Sequence, residues 1–240
     1  MRIAVTLTLL ALVLGAACLA VLGPLPGDVA VTLALQSAFG DSPQWAEWLT
    51  DTAKPPLVVA TMVICAGLAW LVADWRAALA VPLAFGLGWL IDKAARLLIF
   101  APRPADDIVE VASASSSSGL PSTFGLVFGG VFGVVVMARA KRRKTALLHV
   151  LAAFLIIMGA AARVVLGGHW PSQMLVSNLL GLAAAATASA LTNLFPPGGG
   201  SPEKNLPFSK RPRCCHLYPV APCLTRGLAS LLLCRGKRKA

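Results

Sequence analysis

Long apolar stretches cover about 3–22, 57–73, 77–100, 119–138, 146–166 and 174–195 of this chain, with short polar segments between them. Each stretch approaches the ~20 residues that a helix needs to cross the hydrocarbon core of a bilayer. The pattern predicts an all-α, polytopic membrane helical bundle of about six transmembrane helices. A weaker apolar stretch at 27–40, bordered by Asp28, Gln36 and Asp41, is expected to form an interfacial helix. Arg2 and the apolar run after it, with the small residues Gly15, Ala16, Ala17 and Cys18, also match a signal sequence. A retained helix and a cleaved one are both compatible with the orientation below.

Cations set that orientation, because short loops rich in Lys and Arg stay in the cytoplasm. Arg2, Arg76, the run Arg139-Ala140-Lys141-Arg142-Arg143-Lys144 and the C-terminal segment fall on one side. The segments 23–56, 101–118 and 167–173 fall on the other and carry few cations beyond Lys54 and Arg103. Both termini are therefore expected in the cytoplasm, with 167–173 outside. Trp45, Trp48, Trp75 and Trp170 lie near span ends, where indole rings favour the interface.

Composition supports the same class: the 240 residues are 57% hydrophobic and only 13% charged, with a mean hydropathy of +0.76. The net charge of +11 would suggest nucleic acid until it is located. Residues 201–240 hold nine cations against Glu203, which is +8 of the total. A basic tail beside a membrane is better suited to anionic lipid headgroups, at ~1 kcal/mol per residue, so no nucleic acid partner is expected. The domain division is a membrane-embedded unit over 1–200, ending in the linker Pro196-Pro197-Gly198-Gly199-Gly200-Ser201-Pro202, and a basic disordered tail over 201–240. Cys214, Cys215, Cys223 and Cys234 sit in that tail, in a reducing compartment, and match no zinc spacing well. Cys18 and Cys65 lie in apolar spans and are expected to pack.

Three segments on the outer side hold polar residues that a plain bundle would not need. Arg96-Leu97-Leu98-Ile99-Phe100-Ala101-Pro102-Arg103-Pro104 leaves the third span, Gly119-Leu120-Pro121-Ser122-Thr123-Phe124-Gly125 opens the fourth, and Arg163 to Gln173 closes the fifth. Arg96, Arg103 and Arg163 bring three guanidinium forks suited to phosphate oxygens. Ser122 and Thr123 add hydroxyls at a helix start, where the dipole also favours an anion. Taken singly, Arg96 could pair with Asp92 one turn earlier and Arg163 could snorkel. His169 follows Arg163 by six positions and is a candidate nucleophile, since His149 falls on the opposite side and His216 in the tail.

The three segments together resemble the type 2 phosphatidic acid phosphatase family, which shares its core with the vanadium haloperoxidases. The family pattern is Lys-x6-Arg-Pro, Pro-Ser-Gly-His and Ser-Arg-x5-His-x3-Asp. Here it reads Arg96-x6-Arg103-Pro104, Pro121-Ser122-Thr123-Phe124 and Ala162-Arg163-x5-His169-x3-Gln173. The resemblance covers about 57–195 and implies a six-span fold with a site at the outer face of a bacterial inner membrane. It implies Arg96, Arg103, Ser122 and Arg163 as phosphate-binding residues, to which the helix-start argument adds Thr123, and His169 as the nucleophile that forms a phosphohistidine. Phe124 stands in place of the general-acid His, and Gln173 in place of the Asp that orients the nucleophile.

A phenyl ring has no proton to give a leaving alkoxide, and general acid catalysis is worth ~100 to 10,000-fold. A phosphate leaving from a diphosphate needs no such proton, so the expected substrate is a lipid phosphate or, preferably, a lipid diphosphate. The alternative is an inactive family member that binds lipid phosphate or membrane partners. No metal or cofactor is implied, because the arginines supply the positive charge. A transporter or structural bundle, drawing on Gly125, Gly129, Gly130 and Gly133 for close helix contact, is a third reading. The serine-rich segment 113–118 reads as a lid or a linker.

Overall fold

The computed structural model describes residues 1–113, 115–139 and 145–194. The chain divides after Pro196. The basic tail, its cysteines, the linker and Lys141 to Lys144 lie outside the described residues.

Eight helices follow in order: α1 (Arg2–Val21), α2 (Asp28–Phe39), α3 (Gln44–Asp51), α4 (Leu57–Val72), α5 (Trp75–Leu98), α6 (Thr123–Met137), α7 (Ala146–Val165) and α8 (Pro171–Thr192). All six expected spans form as helices. Among the described residues, α1, α5, α7 and α8 have the length and hydropathy to cross a membrane, whereas α4 and α6 are shorter apolar helices. The segment 119–122, expected inside the fourth span, is irregular, and Ser122 caps α6. Conversely α8 starts at Pro171, earlier than expected, because a proline at the first helical position already has a helical φ and no N–H to satisfy.

Helix α6 is the centre of the bundle: Phe124 through Val135 are all buried, with α4, α5, α7 and α8 around it. An all-round apolar helix belongs in such a place. Its glycines let α8 approach closely. A Cβ on Gly129 would lie 2.6 Å from the Asn178 carbonyl oxygen, and one on Gly181 would lie 2.7 Å from that of Leu126. Helix α1 packs on α8, while α2 and α3 pack on α7.

Large apolar side chains also cover the outside, including Val13, Leu71, Leu97, Leu147 and Ile157. A soluble monomer does not expose so much apolar surface; around a bundle it faces lipid. The protein is an integral membrane protein. Helix α2 shows the same inversion, burying Asp28, Thr32 and Gln36 at helical spacing while Val31, Leu33 and Phe39 are exposed. The Gln36 amide donates to the carbonyls of Glu110 and Val165, so the polar stripe ties α2 to the protein. Cys18 and Cys65 are free and buried, as expected.

Candidate functional site

Chain direction alone brings the end of α5, the start of α6, the end of α7 and the start of α8 to one end of the bundle. Arg96, Arg103, Ser122, Thr123, Phe124, Arg163 and His169 line a single cavity there, of about 270 Å³. Seven of the eight residues singled out in the sequence therefore meet, from three segments far apart in the chain.

His169 is almost wholly buried, at 2% exposure. Its Nδ1 lies 2.8 Å from the Gly119 carbonyl oxygen. A carbonyl only accepts, so Nδ1 carries the proton and Nε2 keeps its lone pair. Burial holds the imidazole pKa well below its usual value, and Arg163, Arg103 and Arg96 add to the effect by repelling a second positive charge. The ring is thus neutral at physiological pH. The turn that carries it depends on Gly167, which has φ of +64° and leaves no room for a Cβ against the Glu110 carbonyl.

Each arginine is held differently. Arg103 Nε and Nη2 donate to the Ser117 carbonyl at 2.9 Å and hydroxyl at 2.8 Å, and Nη1 donates to the Gly168 carbonyl at 3.0 Å. The serine-rich segment is therefore a support: the Ala101 amide also donates to Ser118 Oγ, and the Gly119 amide to the Ala101 carbonyl. Arg96 does pair with Asp92, at 3.0 Å, and its Nη2 donates to Thr123 Oγ1 at 3.0 Å. Thr123 in turn donates to Asp92 at 2.9 Å. That triangle fixes Arg96 at the cavity rim without removing it. Arg163 Nε is buried with no partner. Burial, and after it the charge of Arg96, lower the Arg103 pKa.

Ser122 is fully buried, accepts from the Gly125 amide as the α6 cap, and donates its own N–H to Ser177 Oγ at 2.7 Å. Helix starts leave backbone N–H groups free for an anion. Phe124 touches the cavity but also stacks on Phe128, with ring centroids 4.1 Å apart, and belongs to the apolar core.

Gln173 is arranged differently from the expectation. Its Oε1 accepts from the Trp170 amide at 3.2 Å and its Nε2 donates to the Pro102 carbonyl at 2.8 Å. It does not bond the imidazole, because the Gly119 carbonyl already occupies Nδ1. Gln173 instead joins the residue before Arg103 to the residue after His169. Sequence reasoning also missed the role of Asp28, whose carboxylate accepts from the Ser172 amide and hydroxyl at 2.9 and 2.6 Å. Its only sequence signal was a carboxylate beside an apolar run.

The PAP2 superfamily model matches residues 77–195, from the start of α5 to the end of α8. The chain belongs to the PAP2 superfamily. The match takes in all three segments that carry the predicted site residues. The fold is similar to that of a solved transmembrane PAP2 type phosphatidylglycerolphosphate phosphatase from Bacillus subtilis, with a TM-score of 0.64 at 21% identity. The alignment covers 83% of this chain and 100% of that one. No curated protein sequence matches the chain.

Proposed function

We propose that this PAP2 protein is a membrane lipid phosphatase that acts at the non-cytoplasmic face through a phosphohistidine on His169. One observation carries the reading: a neutral imidazole, with Nδ1 fixed by Gly119 and Nε2 unbonded, shares a cavity with Arg96, Arg103 and Arg163. In the first step Nε2 attacks phosphorus and the phosphorus–oxygen bond to the leaving group breaks, the electron pair departing with that oxygen. In the second, water attacks phosphorus, the phosphorus–nitrogen bond breaks and inorganic phosphate is released. The arginines stabilise the negative charge on the phosphoryl oxygens in both steps.

A lipid substrate is supported by a second cavity of about 350 Å³ that adjoins the first at Arg96 and Thr123 and is walled by Val58, Phe85, Trp89, Leu126 and Val127. Apolar walls beside a cation match a phosphate joined to a hydrocarbon tail. Preference for a diphosphate rests on Phe124, since no histidine stands there to protonate an alkoxide.

The test is phosphate release by purified protein from a panel of lipid mono- and diphosphates. Diphosphates should turn over faster than the matching monophosphates, and His169→Ala should abolish both. Turnover that survives His169→Ala would refute the mechanism. Phosphate binding without turnover of any substrate would favour the inactive binder, the reading that the packing of Phe124 into the apolar core supports.

A further inference from the structure

Helix α3 lies outside the matched family region, yet it forms one wall of the site. Ala46, Leu49 and Trp45 pack against Ala162, Val165 and Leu166 of the α7 end. Thr50, one turn after the fully buried Ala46, lines the cavity that Arg163 also lines. Thr50 is 5% exposed, and its hydroxyl has no hydrogen-bond partner.

An unpartnered hydroxyl is unusual for a helical threonine among the described residues. Thr32, Thr61 and Thr187 each donate to the carbonyl one turn back, at 2.9, 3.2 and 2.9 Å. An unsatisfied buried hydroxyl is unfavourable, so its persistence calls for a partner that the protein does not itself supply. Thr50 lines both the 270 Å³ cavity that holds His169 and an adjoining polar cavity of about 440 Å³. Arg163, whose Nε is the other unpartnered buried donor at this place, lines the same two.

We propose that Thr50 Oγ1 is a further ligand of the phosphoryl group, donating together with Arg163 Nε–H to its oxygens at the boundary of the two cavities. The inference rests on the phosphate-site reading of His169 and the arginines. It adds a substrate contact from a segment that none of the three motifs contains. Both donors are short of an acceptor in the free protein, and a tetrahedral oxyanion offers several.

The experiment compares wild type, Thr50→Val, Thr50→Ser and Arg163→Ala as full-length protein in detergent. Orthovanadate and a lipid monophosphate in micelles are the two probes, read by thermal shift titration. Thr50→Val is nearly isosteric and should weaken both probes about tenfold, whereas Thr50→Ser should bind as wild type does. The unliganded melting temperature of Thr50→Val should be unchanged or higher, because a buried unpaired hydroxyl has been removed. Thr50→Ala provides the same comparison should valine disturb α3. Vanadate affinity equal in wild type, valine and alanine variants would overturn the assignment, as would weakening confined to the lipid probe. Loss of vanadate binding in Arg163→Ala with none in the Thr50 variants would leave the phosphate site standing and remove Thr50 alone. No vanadate binding by wild type would overturn both.

Discussion

His169 presents Nε2 because the Gly119 carbonyl accepts the hydrogen bond from Nδ1–H. The main-chain carbonyl fills the place that an orienting carboxylate would have, at the cost of the negative charge that would stabilise an imidazolium. The imidazole pKa is depressed in the folded protein by burial and the three arginines, so below the usual imidazole range of ~6.5 the unfolded chain takes up a proton that the folded one resists. Stability contributed by the neutral ring is present above that range and lost as pH falls. Between pH 7 and pH 5 the melting temperature of wild type should drop more than that of His169→Gln. Parallel curves would mean that the ring titrates normally. At position 124, replacement by histidine removes a ring stacked on Phe128 and puts a polar group among apolar ones, so it should destabilise by about 1–3 kcal/mol. In the fraction that folds, turnover of lipid monophosphates should rise relative to diphosphates. Gln173→Asp should not help, because the shorter carboxylate cannot donate to the Pro102 carbonyl as the amide does. Vanadate affinity, measured alongside activity, separates a displaced Arg103 from a changed chemical step.

Helix ends do the positioning. Ser122 starts α6, the segment after α5 is pinned by Ser117 and Ser118, and the start of α8 is held from both sides, by Gln173 within the helix and by Asp28 from α2. The buried Asp28 carboxylate accepts from Leu25 as well as Ser172 and lies at a helix N-terminus, where negative charge is favoured. Asp28→Asn removes that charge and should destabilise by about 1.5–3 kcal/mol, the range for hydrogen bonds to charged groups. His169 lies three residues before Ser172, so vanadate binding should weaken as well. A lowered melting temperature with unaltered vanadate affinity would confine Asp28 to stability. Close packing of α6 on α8 carries the strain of any enlargement at Gly129 or Gly181, since backbone atoms rather than flexible side chains would have to move.

At the scale of the molecule, the alternation of cation-rich and cation-poor segments predicts an orientation of the bundle with His169 on the non-cytoplasmic side. Ser116 is exposed at the end that holds His169, and Arg139 is exposed at the other. With the native cysteines replaced, a cysteine at 116 should react with an impermeant thiol reagent in intact cells, and one at 139 only after the membrane is opened. The reverse result would invert the topology and place the site inside.

What the sequence by itself determined were features set by composition and local spacing. Apolar length marked every long helix, and the motif spacings named Arg96, Arg103, Ser122, Arg163 and His169, because helix ends carry residues to a face fixed by chain direction. The family was legible for the same reason: its signature lies in short segments whose order and internal spacing survive the changes at Phe124 and Gln173. Tertiary structure alone decided which groups bond which. The acceptor for His169 is a carbonyl 50 residues away in the chain, the partner of Ser172 is 144 away, and Gln173 turned to the backbone instead of the imidazole. A backbone carbonyl has no sequence signature, and a threonine such as Thr50 reads like any other until packing leaves its hydroxyl unpartnered beside an arginine. Such contacts come from how helices far apart in sequence close on one another, which local periodicity does not encode.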